Sequence, residues 1–263
     1  MPNVARPLAV VTGATAGIGR VYCERLAARG HDLLLVARDA ARLEAAAGEL
    51  AARHGVAARV HAADLADDAA TGALAEALGA EPRVDVLVNN AGFGTKGALA
   101  RTDPAAQARL VRVHCLAPLR LSQAVLRGMV ARRSGAIVNV ASVASFITVP
   151  GTVTYSAAKA FLRVLTDGMA AELAGSGVRV QALCPGFTRT EFQQRMGADT
   201  DGLPDWAWLS ADAVVDASLR ALDRGGPVVV VPDARYQALV AAVRHLPLRA
   251  LTWVEGRISK RRV

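Results

Sequence analysis

The 263-residue sequence predicts an α/β fold: a doubly wound parallel sheet of about seven strands with helices on both faces. Three observations predict it. Short, near-continuous apolar runs recur along the chain, as expected of strands covered on both sides. Stretches of helical periodicity separate them, which implies right-handed strand–helix–strand crossovers. A glycine-rich turn joins the first apolar run to the first helical stretch, where such sheets bind phosphate groups.

The elements follow in order. Residues 8–12, Leu-Ala-Val-Val-Thr, form the first strand, and the turn Thr12-Gly13-Ala14-Thr15-Ala16-Gly17-Ile18-Gly19 leads into a helix ending near Ala28. Strands are then expected at 33–37, 58–61, 84–89, 136–140, 179–183 and 228–231, and helices at 40–53, 105–131 and 157–174, among others. Residues 134–158 carry no charge, but Gly, Asn, Ser, Thr, Pro and Tyr interrupt them. They read as a buried strand and an active-site loop rather than a membrane span. Residues 187–209 show no strand pattern and carry Trp206 and Trp208. A stretch this long without regular structure is either functional or a loop that packs its tryptophans inward. No repeat or linker divides the chain, so 1–263 is expected to be one domain.

Charge and cysteine usage narrow the class. The formal net charge is +8, and residues 235–263 hold seven Lys/Arg against one acid. Tyr236, Leu239, Val240, Val243 and Leu246 give the start of this tail an apolar helical stripe. It could touch an acidic membrane surface, cover a neighbouring subunit, or be a solvated basic helix. Nothing upstream reads as a nucleic-acid module, so no nucleic-acid partner is expected. Cys23, Cys115 and Cys184 are odd in number and show neither disulfide nor metal spacing, and the five histidines show no ligand pairing. The expectation is a cytoplasmic protein without a metal, and the few residues before the first strand leave no room for a signal peptide.

The chemistry starts from Tyr155 and Lys159. Their i,i+4 spacing puts a phenol and an ammonium on one helix face. Only three of the 31 Lys/Arg residues are lysines (Lys96, Lys159 and Lys260), so an amine at 159 stands out. A phenol beside a fixed cation is a candidate proton donor or acceptor; the alternative is a surface pair on a solvated helix. The second strand ends Val36-Ala37-Arg38, with no acid at its last positions. An acid there would suit ribose hydroxyls and an arginine suits a 2′-phosphate, so Arg38 favours NADP(H) over NAD(H). Asp39 weighs the other way, Arg38 could instead pair with Asp39 or Glu44, and Arg20 could add positive potential at the turn.

These features, with their order, resemble the short-chain dehydrogenase/reductase family in its single-domain branch. Thr12-Gly13-x-x-x-Gly17-x-Gly19 is similar to that family's cofactor turn, which brings Thr15 and Ile18 to the cofactor as well. Asp64-Leu65 is similar to its adenine contact, and Asn89-Asn90-Ala91-Gly92 to its sheet-stabilising, cofactor-lining segment. Ser142 lies at the family's spacing before Tyr155-Ser156-Ala157-Ala158-Lys159, whereas Ser145 does not. Pro185-Gly186, with Thr188 and Thr190 following, resembles its nicotinamide-side turn. The resemblance implies a Rossmann-like domain with a substrate lid at about 187–209. It also implies a homodimer or homotetramer paired through the helices at 105–131 and around Tyr155.

The resemblance further implies roles. Tyr155 would give a proton to a carbonyl oxygen, Lys159 would hold the nicotinamide ribose and lower the phenol's pKa, and Ser142 would hydrogen-bond the carbonyl. The sequence departs from the family at His114, where an asparagine usually anchors a proton-relaying water. Histidine could relay and titrate near neutral pH, or simply pack. The expected activity is NADPH-dependent reduction of a ketone to a secondary alcohol, or the reverse, on a hydrophobic small molecule. An epimerase-like use of the nicotinamide and a non-catalytic dinucleotide sensor are the alternatives.

Overall fold

The computed structural model describes residues 6–148, 150–196 and 203–245. Seven parallel strands form one sheet in the order β3-β2-β1-β4-β5-β6-β7. They are β1 (Leu8–Thr12), β2 (Asp32–Ala37), β3 (Ala58–Ala62), β4 (Val84–Asn89), β5 (Gly135–Val140), β6 (Val178–Leu183) and β7 (Val229–Val230). The helices between them are α1 (Gly17–Ala28), α2 (Ala40–His54), α3 (Asp68–Gly79), α4 (Pro104–Val111), α5 (Ala117–Ala131), α6 (Val153–Glu172), α7 (Glu191–Met196), α8 (Ala211–Asp223) and α9 (Ala234–His245).

Each face of the sheet carries its own core. One packs Tyr22, Leu26, Leu43, Leu50, Val214 and Leu219 from α1, α2 and α8. The other packs Leu74, Leu78, Leu121, Val125, Met129 and Met169 from α3, α5 and α6. β1 and β5 are buried along their whole length, which is why their sequences are mostly apolar rather than alternating. The strand order reverses between β1 and β4, and the crevice beyond the carboxyl ends of these strands is where such sheets bind ligands.

A buried polar network ties the switch point together. Asn89 donates to Ser122 Oγ (3.1 Å) and to Asn139 Oδ1 (2.8 Å), and Asn139 donates to Thr166 Oγ1 (2.9 Å). It links β4, β5, α5 and α6 at the end of the sheet that carries the active-site loop. Asp39, Asp67, Asp103 and Ser210 each cap the start of the helix that follows.

The expected helix over 105–131 is broken. α4 ends at Val111, Arg112–Leu116 forms a π turn in which the Ala117 N–H reaches the Arg112 carbonyl, and α5 follows. Pro118 brings no N–H back to the carbonyl of His114, four residues earlier, so the α-helical ladder cannot close there. The helix expected at 157–174 starts earlier, at Val153, so Tyr155 lies in its first turn. Among the described residues no helix is long and apolar enough to cross a membrane.

Candidate active site

A cavity of about 1260 Å³ runs along the carboxyl ends of the strands, from Arg38 and Asp64 at one end to Ile147 and Leu239 at the other. Pockets that take one drug-sized ligand are typically about 300–1,000 Å³, so this space is large enough for two ligands side by side.

The glycine turn forms its floor. Gly13 (φ +67°) and Gly17 (φ +53°) occupy the left-handed region. A Cβ on Gly17 would meet Thr190 Cγ2 at 2.8 Å, and one on Gly19 would overlap the Gly13 carbonyl. Ala16, the N-cap of α1, supplies no side-chain cap, which leaves the helix's first N–H groups for an anion. Thr12 Oγ1 accepts the N–H groups of Asn90 and Ala91 (3.0 Å each), and Asn90 donates to the carbonyls of Thr12 (2.9 Å) and Gly13 (3.2 Å). These bonds lock the turn to the 90–92 segment. Gly13, Thr15, Gly17, Ile18, Asn90, Ala91 and Gly92 line the cavity; Gly19 is buried beneath it.

Arg38 lines the far end and is exposed, and among the described residues it forms no ion pair with Asp39 or Glu44. Asp39 is committed as the α2 cap, accepting the Arg42 N–H at 3.0 Å. Asp64 and Leu65 lie beside Arg38 along the cavity. Partial burial opposes ionisation of Asp64, but the Ala66 N–H and the Arg109 guanidinium (2.8 Å) together hold its carboxyl below the usual range. Arg20 does not serve the turn: it pairs with Glu49 (2.6 Å) on α2.

Ser142, Tyr155 and Lys159 meet at mid-cavity. Ser142 follows β5 in extended backbone and caps a short turn by accepting the Ala144 N–H at 3.1 Å. Burial pushes the Tyr155 phenol up to about 12, against a hydrogen bond with Ser142 that lowers it, so the phenol is a proton donor at neutral pH. Lys159 is buried, donates to the Val140 carbonyl (2.7 Å), and stands 5.6 Å from the Tyr155 ring centre. Burial lowers its pKa to about 8. The expected lowering of the phenol by Lys159 is not present in this geometry, because desolvation dominates both groups. Ser145 lies off the cavity against Cys184.

His114 is fully buried in the π turn. Its Nε2 faces the backbone of Phe93, 3.0 Å from the N–H and 2.8 Å from the carbonyl oxygen, and its Nδ1 has no hydrogen-bond partner. The ring meets Tyr155 edge-on at 5.7 Å. A Cβ on Gly92 would overlap the imidazole, so histidine at 114 requires glycine at 92. Burial, then the Lys159 charge, hold this imidazole well below its ordinary pKa. Of the two readings of His114, this direction favours the neutral, packed imidazole over one that titrates near neutral pH, and its Nε2 addresses the Phe93 peptide unit.

The substrate end is walled by Phe93, Ile147, Pro150, Phe187, Phe192, Met196, Leu203 and Leu239. Pro185, Gly186, Thr188 and Thr190 carry the chain from β6 across the cofactor side. Of the expected lid, residues 187–196 and 203–209 are described. Thr188 bridges to Leu209, and the Tyr236 hydroxyl accepts the Phe187 N–H (3.1 Å) and donates to the Ala207 carbonyl (2.6 Å). Trp206 and Trp208 neither enter the core nor line the cavity: Trp206 is 64% exposed, and Trp208 packs at a tilt against Phe187 with the Arg189 guanidinium over its ring. The apolar stripe expected on the basic tail is used inwardly. Tyr236 and Val240 are buried and Leu239 faces the cavity. Leu246 and the rest of the tail lie outside the described residues.

Sequence reasoning missed Arg42, Arg109, Glu191, Phe93 and Tyr236. Arg42 carried a signal, one helical turn after Arg38; the others depend on long-range packing. Among the described residues no group of three or more His, Cys, Asp or Glu side chains could hold a metal ion.

Fold and site together define a nicotinamide-dependent oxidoreductase: an anion-ready glycine turn at the switch point, and a Ser–Tyr–Lys cluster beside it. A short chain dehydrogenase family model matches residues 7–201, and the chain belongs to that family. It is 41% identical over 201 residues to galactitol 2-dehydrogenase (L-tagatose-forming) of Cereibacter sphaeroides, covering 75% of this chain and 78% of that protein. A short-chain dehydrogenase from Sphingobium yanoikuyae, solved in complex with NADPH, superposes with a TM-score of 0.83 at 40% identity over 90% of this chain and 93% of that one. The bulky-bulky ketone specific alcohol dehydrogenase of Comamonas testosteroni superposes with a TM-score of 0.79 at 33% identity over 93% and 96%. Solved relatives hold NADPH in one case and NAD in another, so the family implies a nicotinamide dinucleotide without choosing between them. The protein is an oxidoreductase acting on alcohol or ketone groups.

Proposed function

We propose that the protein reduces a bulky, largely apolar ketone to a secondary alcohol with NADPH, or runs the reverse oxidation. The observation that carries this reading is the Ser142–Tyr155–Lys159 cluster, set between the glycine turn and an apolar compartment. The uncapped α1 start, the absence of side chains at Gly13 and Gly17, and the Asn90–Gly92 segment fit a dinucleotide. Arg38, exposed at the cofactor end and in no ion pair with Asp39 or Glu44 among the described residues, fits its 2′-phosphate. The nicotinamide supplies hydride transfer when bound.

The chain's own residues do the rest. Ser142 Oγ donates to the carbonyl oxygen and orients it. Tyr155, protonated up to about pH 12 in the free protein, passes its phenolic proton to that oxygen as negative charge develops. Lys159, close by on the same helix face and mostly protonated at neutral pH, would hold the nicotinamide ribose. His114 works as a neutral positioning residue that fixes the Phe93 segment and braces Tyr155. The Phe187, Phe192, Met196 and Leu203 wall excludes water and favours apolar substituents on the ketone.

A homodimer or homotetramer is part of this reading. Val153, Phe161 and Val164 leave an apolar stripe exposed along the outer face of α6, with Val111 and Leu116 exposed on the neighbouring α4 and π turn. The functional test is oxidation of NADPH with a panel of ketones graded in size and polarity. Turnover is expected with bulky apolar ketones and not with polyols in reverse. Redox turnover confined to polar sugars would overturn the substrate reading, and none with any ketone or alcohol would favour an epimerase or sensor.

A further inference from the structure

Arg42 and Glu191 join the two sides of the cofactor end of the cavity. Arg42, in the first turn of α2, donates through Nη2 to Glu191 Oε1 at 3.0 Å and through Nη1 to Oε2 at 3.4 Å. The same Nη2 is 3.3 Å from the Thr15 carbonyl, which holds the guanidinium over the glycine turn. Arg38 lies four residues earlier, just before the helix, Asp39 between them is committed to capping, and all of these residues line the cavity. Glu191 opens α7, and the next residue, Phe192, packs on the Tyr155 ring at 5.7 Å.

We propose that Arg42 is a second reader of the cofactor's 2′-phosphate, and that Glu191 competes with the phosphate for it. The margin by which the protein prefers NADPH over NADH is then set by three residues, Arg38, Arg42 and Glu191, the last acting against the preference. The proposal rests on the NADPH reading above. A phosphate offers more charge and more acceptor oxygens than a carboxylate to the same planar fork, so the exchange is favourable. The two side chains are 41% and 46% exposed, so the pair being given up is a weak one. NADH has no group to take Arg42 and leaves the pair intact.

The test is the dissociation constant of NADPH and of NADH, measured by calorimetry on the full chain without substrate. Wild type, Glu191→Gln, Arg42→Gln and the double variant are compared. Glu191→Gln is expected to tighten NADPH about two- to fivefold, the size of an exposed ion pair, and to leave NADH unchanged. Arg42→Gln is expected to weaken NADPH about tenfold, and Glu191→Gln should have no further effect in that background. No tightening, equal tightening of both cofactors, or tightening that persists without Arg42 would overturn the competition. A wild type that binds both cofactors equally would overturn the NADPH reading and this inference with it.

Discussion

Lys159 should be a liability for stability, and replacing it by methionine exposes the cost. Lys159 is 4% exposed, with its amine between the Val140 carbonyl and the Tyr155 ring. Burial lowers its pKa from 10.5 to about 8. Below the folded value both states are protonated and the full cost of burying the charge is felt, about 3 kcal/mol. Between about pH 8 and pH 10.5 the unfolded chain binds more protons than the folded one, so wild-type stability rises with pH relative to a variant without the amine. Above that window both states are neutral and the cost is gone. Lys159→Met also removes the 2.7 Å hydrogen bond to the Val140 carbonyl, which offsets about 1–3 kcal/mol. At pH 7 the variant should therefore equal the wild type or exceed it by up to about 2 kcal/mol, while losing activity. The assay is urea unfolding of both proteins without cofactor from pH 7 to 10.5. Other titrating groups are common to both and cancel to first order. A stability difference that stays constant across this range would refute a buried, destabilising ammonium at 159.

Arg38→Asp should lower the ratio of kcat/KM for NADPH over NADH by at least about tenfold, since it replaces a phosphate donor with a like charge; an unchanged ratio would place phosphate recognition elsewhere. His114 is held neutral, so the wild-type pH–rate profile should show no acid limb near the reference imidazole value of about 6.5. His114→Asn should keep activity, and His114→Leu, which leaves the Phe93 backbone without its partner, should lower turnover about tenfold. Superimposable rates for all three proteins would make His114 a packing residue only. Phe161→Glu puts a charge on the exposed α6 stripe and should shift light scattering from a dimer or tetramer toward monomer; a wild type already monomeric at micromolar concentration would remove the oligomer reading.

The sheet was legible because most of its strands are buried on both faces: 8–12 and 84–89 read with their bounds unchanged from near-continuous apolar runs, and the other strands shifted by one residue at one end or both. The glycine turn and the Tyr155–Lys159 pair were legible because local spacing fixes them. The break at 112–116 was not, because the apolar period runs straight through it. Only Pro118, read for the hydrogen bond it withholds from His114, marks it. His114 was visible as a departure, but its neutrality and its hold on Phe93 depend on burial and on Gly92, which spacing does not report. Trp206 and Trp208 could not be placed for the same reason: the alternative that they pack inward does not hold, and the cavity wall nearby is built from Phe187, Phe192, Met196 and Leu203. Arg20 looked placed for the cofactor by sequence proximity, but its helix face points it at Glu49.

The central claim is that Tyr155 delivers the proton to a ketone oxygen beside bound NADPH. Its most direct test is turnover of Tyr155→Phe on the best ketone from the panel, with NADPH affinity measured in parallel. The structure predicts a fall in kcat of about 10² to 10⁴ with NADPH affinity nearly unchanged, because the phenyl ring keeps its packing on His114 and Phe192 and only the proton is lost. A variant that keeps more than half of the wild-type turnover would contradict it.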